Sequence, residues 1–531
     1  MNSIDPSMSL TESQAHVSMN FRQKIGAALS GIGLLILLIS LFNVGFNSQK
    51  TLFLSLSLGG ITLGTLFYAW GTYGGKTAGI KNDGVWFRSM TSLGVLAWIS
   101  GVILTAFYVF LYWFPIYLGL GADGSENTGM VALFDPLSQM INGGPASQWF
   151  MYGALYTLAI LVMGIKFIWK YRHNKYHILR TISVMFFQLG FAFLIPELLV
   201  RLNSELPYND FKNMWPLNYY FFDGYRIEGY TSTGWIGMFM LIFGLAMVFV
   251  ISPVLTYFYG KRWYCSWVCG CGGLAETAGD PYRHLSDKSL KAWKIERWMV
   301  HGVLVFVVAM TTAVVYGYFH NNPEGYWVTK EVILGIVIAV FGGLGLLMWW
   351  KPSYLQGLSQ RIKNIIYIIL GALVLFTLVA YFTGNSNVFF IGNYQLRSWY
   401  GFLIGAAFSG VVGVGFYPLM GNRVWCRFGC PMAAILGIQQ RFFSRFRITT
   451  NGGQCISCGN CSTYCEMGID VRAYAQKGQD IVRASCVGCG ICAAVCPRGV
   501  LRLENSTSDI KSRADELRVL QIDERGVKLA D

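Results

Sequence analysis

The sequence predicts a polytopic all-α membrane bundle followed by a small α+β domain organised by cysteine. Three observations lead there. Hydrophobic residues make up 54% of the 531 and charged residues only 13%, a balance too apolar for a water-soluble chain of this length. Long apolar runs recur along the first 420 residues. All 13 cysteines lie beyond residue 260 in tight clusters, and the last of these clusters repeat one spacing.

The apolar runs come first. At ~1.5 Å of rise per residue, about 20 residues cross ~30 Å of hydrocarbon. Runs of this length occupy 25–46, 51–70, 93–118, 149–169, 181–200, 234–259, 298–318, 331–350, 364–382 and 399–420. They predict about ten transmembrane helices, about five of them in an N-terminal region 1–230 and the rest in 231–420. Trp70, Trp113, Trp149, Trp169, Trp298, Trp349, Trp350 and Trp399 stand at run ends, as interfacial belts require. The first run follows a polar stretch and lacks a small-residue cleavage site, so it reads as a spanning helix and not as a signal peptide.

Orientation follows from lysine and arginine. The loop 119–148 has neither, whereas 170–180 holds Lys170, Arg172, Lys175 and Arg180, and 260–297 holds Lys261, Arg262, Arg283, Lys288, Lys291, Lys294 and Arg297. The basic loops are expected in the cytoplasm, which puts both termini there too and makes the chain a multi-pass protein of the cell (inner) membrane. The net charge of +14 gathers beside the run ends, where anionic headgroups of the lipid bilayer are the expected partner and nucleic acid is not.

The C-terminal domain, 451–505, reads Cys455-x2-Cys458-x2-Cys461-x3-Cys465 and then Cys486-x2-Cys489-x2-Cys492-x3-Cys496-Pro497. This is the ligand run of a two-cluster bacterial ferredoxin, in which the fourth cysteine of each run serves the other cluster. The crossed pattern assigns Cys455, Cys458, Cys461 and Cys496 to one 4Fe-4S cluster and Cys486, Cys489, Cys492 and Cys465 to the other. A pair of zinc sites would leave the third cysteine of each run and the Cys-Pro ending unexplained. Gly459 and Gly490 occupy matching places in the two turns. Electron transfer is the chemistry such ligands serve.

Two further clusters adjoin run ends. Trp263-Tyr264-Cys265-x3-Cys269-Gly270-Cys271 follows the sixth run, and Trp425-Cys426-x3-Cys430-Pro431 follows the tenth. In a helix, thiols four residues apart share a face. Cys265, Cys269, Cys426 and Cys430 are therefore candidates for a third metal or iron–sulfur site, with Cys271 as an alternative ligand. The competing reading is that they pack helix ends as buried apolar thiols. The shared pattern at equivalent places favours a joint role.

These motifs carry a resemblance over roughly residues 230–505. A two-cluster ferredoxin domain after membrane helices with paired Cys-x3-Cys elements resembles the membrane-bound polyferredoxins of the NapH/NosR kind and, more distantly, the CcoG-type assembly proteins. The resemblance implies a quinol-linked oxidoreductase subunit that passes electrons between a membrane quinol or quinone and a redox partner protein. It also implies an alternative, a maturation, assembly or regulatory factor for a respiratory metalloenzyme. The first motif has Cys269-Gly270 where that family has Cys-Pro.

Other candidates are minor. Of the histidines only His301 lies inside a run, so paired haem ligation is not expected. His173 and His177 read as solvated or lipid-facing. Glu197 after Pro196 reads as an interfacial ion pair with Arg201, with proton uptake from quinol as the sharper possibility. Residues 421–450 include Arg441-Phe-Phe-Ser-Arg445-Phe-Arg447, a basic and aromatic alternation expected of an interfacial connector, and 506–531 form a polar tail.

Overall fold

In the computed structural model, nine helices among the described residues are long and apolar enough to cross a membrane. They are α1 (Phe21–Ser40), α2 (Lys50–Tyr73), α3 (Val95–Trp113), α4 (Gln148–Lys170), α5 (Lys175–Leu202), α6 (Gly234–Tyr259), α7 (Leu290–Asn321), α8 (Lys330–Trp350) and α9 (Gln360–Thr383). The described residues are 19–42, 49–75, 93–122, 125–323, 328–351, 359–505, 520–523 and 526–529. The apolar run at 399–420 takes a different form. It belongs to α10, an α-helix over Asn393–Tyr400 that continues as a π-helix over Gly401–Val412. Asn393, Gln395 and Arg397 make its start polar, and Pro418 sits in a separate turn, Tyr417–Met420. The nine apolar helices are compatible with a membrane protein.

The chain divides into two compact units, one of residues 1–201, 267–286 and 415–422 and the other of residues 202–266, 287–414 and 423–531. In the first unit α1 and α2 meet backbone to backbone. A Cβ on Gly26 would stand 2.5 Å from the Tyr68 nitrogen, and one on Gly33 2.5 Å from the Ser57 carbonyl oxygen. The Ser57 hydroxyl donates to the Gly33 carbonyl at 2.8 Å, the small-residue contact by which apolar helices associate.

The same unit buries Lys170, Arg180 and Arg283, while Arg172 and Lys175 are exposed. Lys170 Nζ lies 2.5 Å from Asp280 Oδ2, Arg283 Nε 2.7 Å from Asp280 Oδ1, and Arg180 Nη2 2.7 Å from Glu276 Oε2. All these side chains are buried, so these cations meet carboxylates and not the expected lipid headgroups. Glu276 and Asp280, just beyond the first Cys-x3-Cys motif, supply the counter-charge. Burial alone would raise the Asp280 carboxyl, but Lys170, then Arg283 and Lys166, outweigh it and hold it well below the usual carboxylate range.

Two expectations are corrected here. His173 is exposed, but His177 is fully buried against the rings of Phe167, Tyr171 and Tyr176, because the turn after α4 folds it inward. Glu197 does not pair with Arg201. Its Oε2 accepts from Asn142 Nδ2 at 2.9 Å, while Arg201 Nη1 donates to the Met140 carbonyl at 2.9 Å.

In the second unit α7, α8 and α9 share a core of Ala313, Tyr316, Ile333, Val337, Ala380 and Val388. Helix α11 (Pro431–Phe443) begins at Pro431, whose fixed φ suits a first helical turn. Its end exposes Arg441, Phe442 and Phe443, as an interfacial connector would. Beyond it β1 (Arg447–Thr450) pairs antiparallel with β2 (Leu501–Glu504), with Ile448 opposite Leu503. Ile448 also bridges to Ile481 within the segment between the cysteine runs. The strands thus clamp the two ends of the cysteine-rich domain. In the polar tail, much of which lies outside the described residues, Leu520–Asp523 pairs antiparallel with Gly526–Leu529.

Candidate iron–sulfur sites

Each cysteine run turns on a glycine with positive φ. Gly459 and Gly490 both have φ of 82°, in the left-handed region open to a residue without Cβ, and each precedes a single helical turn, Asn460–Thr463 or Ile491–Ala494. The turns curl the cysteines around two cavities. The first, with about 360 Å3 of atom-free space, is lined by Cys455, Cys458, Cys461 and Cys496. The second, with about 380 Å3, is lined by Cys465, Cys486, Cys489 and Cys492. The fourth cysteine of each run therefore faces the cavity of the other run.

The donor set fits iron–sulfur cubes. Among the described residues no group of three or more His, Cys, Asp or Glu side chains is placed to hold a single metal ion. The sulfurs ring their cavities instead, which suits a cube with one thiolate per iron better than one tetrahedral zinc. Burial pushes the Cys461 and Cys465 thiols up to about 11 and raises Cys486 and Cys492 as well. Buried thiolates need a cationic partner, and metal binding must release their protons. Backbone amides aim at sulfur too, with the Ile469 N–H donating to Cys465 Sγ at 3.4 Å.

The two rings differ in exposure. Around the first, Cys458 is exposed and Ile456 beside it is 57% exposed. Around the second, Cys486 and Cys492 are buried, and other parts of the same unit close over them. Gln440 of α11 donates to the carbonyls of Cys486 at 2.8 Å and Arg483 at 2.9 Å, and its Oε1 accepts the Lys261 N–H at 2.8 Å. The Ser266 hydroxyl, next to Cys265, donates to the Val487 carbonyl at 2.9 Å. Gly468 (φ 64°) lies so close that a Cβ would stand 2.4 Å from the Asp287 carbonyl and 2.5 Å from Arg427 Nη2.

Arg423 is the buried centre of this contact. Its Nε lies 3.0 Å from Glu466 Oε1, with both side chains 0% exposed, and Glu466 directly follows Cys465. Its Nη1 donates to the Cys265 carbonyl at 3.3 Å and to Cys426 Sγ at 3.5 Å. One guanidinium thus touches a residue of each Cys-x3-Cys motif and the neighbour of a ferredoxin cysteine. Nearby, Arg427 Nε pairs with Glu296 Oε2 at 3.1 Å.

The paired motifs are built alike but do not set their thiols on a helical face. Cys265 ends the turn Arg262–Cys265, and Cys269 is the N-cap of the next helix, Gly270–Thr277. Cys426 lies in the π-helical turn Trp425–Gly429, and Cys430 is the N-cap of α11, where its Sγ accepts the Ala433 N–H at 3.4 Å. Each motif opens five residues earlier on a positive-φ glycine, Gly260 (φ 66°) or Gly421 (φ 94°). The repeat Gly-x-Arg-x-aromatic-Cys was present in the chain as a signal, and it would have pointed to Arg262 and Arg423. Cys265, Cys269, Cys426 and Cys430 are all buried; Cys265, Cys426 and Cys430 belong to the second unit, and Cys269 and Cys271 to the first.

Two family models match the chain. Residues 454–501 match a 4Fe-4S dicluster domain. Residues 234–290 and 402–449 match a 4Fe-4S binding domain, and each of these stretches contains one Cys-x3-Cys motif. No curated protein and no solved structure matches. The chain therefore carries 4Fe-4S binding regions of ferredoxin type, which imply iron–sulfur electron transfer.

Proposed function

We propose that this chain is a membrane electron-transfer protein that links a membrane quinol or quinone to a redox partner protein through two 4Fe-4S clusters on the cytoplasmic side. Bound clusters would supply one-electron carriers. Cys455, Cys458, Cys461 and Cys496 would hold one, and Cys465, Cys486, Cys489 and Cys492 the other. The observation that carries the reading is Arg423, which joins the backbone of Cys265 and the sulfur of Cys426 to Glu466 beside Cys465. Such a buried ion pair holds the ferredoxin domain against the segments that follow α6 and α10. Short fixed distances are what electron transfer between a membrane donor and a ferredoxin requires. Cys265, Cys269, Cys426 and Cys430 remain candidates for a further redox or metal role, supported by the two 4Fe-4S binding matches that contain them. The test is anaerobic purification, iron and acid-labile sulfide analysis, and cluster reduction by a quinol analogue. Protein with its full complement of iron that exchanges no electrons with quinol or quinone would refute the membrane-side assignment.

A further inference from the structure

The two cysteine rings present different surroundings. The second is closed over by Gln440, Ser266, Arg423 and the Asp287–Arg427 contact. The first opens outward, lined at its mouth by Ile456, Cys458, Arg472, Pro497 and Arg498. All five are exposed. Charge on this domain is also one-sided. Over residues 447–505 the exposed Asp, Glu, Lys and Arg side chains are Arg472, Lys477, Arg498 and Arg502, all cationic. Of the four acids over the same residues, Glu466 is buried and Asp470, Asp480 and Glu504 are half-buried; Asp470 accepts the Ser462 hydroxyl at 2.7 Å, and Asp480 accepts the Thr450 N–H at 3.1 Å.

We propose that the open face around Cys455 and Cys458 is the docking site for an acidic redox protein, with Ile456 and Pro497 as its apolar centre and Arg472 and Arg498 as its charged rim. This rests on the electron-transfer reading above and names the chemistry of the soluble partner. An apolar centre within a cationic rim fits a carboxylate-rimmed protein that must approach the first ring closely and leave again. Rim charge of one sign raises encounter rates and sets their salt dependence, while the small apolar centre keeps the complex short-lived.

The test uses the full chain in nanodiscs and an acidic flavodoxin as probe, with binding followed by biolayer interferometry in the oxidised state, where no turnover is needed. Between about 10 mM and about 150 mM salt the Debye length falls from about 30 to about 8 Å, and the association rate should drop roughly tenfold or more. At low salt, Arg472→Glu with Arg498→Glu should remove most of that rate when variants are compared per iron-loaded chain, and Arg472→Gln with Arg498→Gln should lie between. An association rate that ignores both salt and charge reversal overturns the proposal. Flavodoxin binding that is lost in phosphatidylglycerol discs but retained in phosphatidylcholine discs would give the face to lipid headgroups and likewise overturn it. Photoreduction of the clusters by a small deazaflavin is measured separately. Its failure would refute the electron-transfer reading itself, whereas intact photoreduction with salt-insensitive binding would refute the docking face alone.

Discussion

Replacing Arg423 by methionine keeps side-chain length and removes the charge, leaving Glu466 buried opposite an apolar group. The guanidinium and the carboxylate are both 0% exposed and 3.0 Å apart, so no water replaces the lost partner. The Cys265 carbonyl and Cys426 Sγ lose a donor at the same time. Breaking a buried pair from one side costs about 3–5 kcal/mol. At about 1.4 kcal/mol per tenfold, the contact between the Glu466 segment and the Cys-x3-Cys segments should open roughly a hundredfold to several-thousandfold more often. Hydrogen–deuterium exchange over residues 465–471 and 423–430 measures this opening directly. Iron loss from the ring of Cys465, Cys486, Cys489 and Cys492 should accompany it, with the other ring retained. Arg423→Met with Glu466→Met removes both charges and should recover most of the protection, because an apolar pair of similar volume can replace a buried ion pair at little cost. Unchanged exchange in Arg423→Met, or a double variant as open as the single, would refute the reasoning.

Four further outcomes are expected. Anaerobically purified protein should hold about eight irons in the ferredoxin domain, and Cys455→Ser or Cys486→Ser should each remove the signal of one cluster by electron paramagnetic resonance; zinc in their place would refute the assignment. Gly468→Ala should cost at least about 1–3 kcal/mol through its positive φ, with the close Asp287 carbonyl adding to it, and exchange over 465–471 should report the loss. Asp280 has a lowered pKa, so its contribution should be complete above the ordinary carboxylate value and fade as pH falls below about 4 toward the lower folded value. Asp280→Asn should therefore lower thermal stability at pH 5–8 by about 3–5 kcal/mol, since Lys170 and Arg283 stay buried, and should flatten the acid limb of the stability curve. Cysteine accessibility should place 170–180, 260–297 and the C-terminus on one side of the membrane and 119–148 and 201–233 on the other; an external C-terminus would refute the proposed cytoplasmic placement of the ferredoxin domain.

Nine of the ten apolar runs were legible as long helices because about 20 apolar residues in succession are what a helix needs to cross hydrocarbon, a purely local requirement. The grouping of the eight cysteines around two cavities was equally legible. Their spacing is set by what one turn of chain can bring around a cavity, and Gly459 and Gly490 mark where that turn needs a positive φ. Contacts between distant segments carried no such local mark. Nothing near Arg423 in the chain announced Glu466, 43 positions on, or the Cys265 carbonyl, 158 positions back. Lys170, Arg180 and Arg283 read as lipid-facing because each loop was weighed alone. Lys170 and Arg180 find their carboxylates only when the Glu276–Asp280 segment folds against α4 and α5, whereas Arg283 meets Asp280 three positions away in the same turn, and a buried cation tolerates its position only with such a partner. The same limit applied to the paired motifs, where spacing of four suggested a helical face. The chain instead breaks its helix between the thiols and makes Cys269 and Cys430 N-caps of the helices that follow. Local spacing and composition thus carried what one segment must satisfy by itself, and the tertiary structure decided which buried charge meets which.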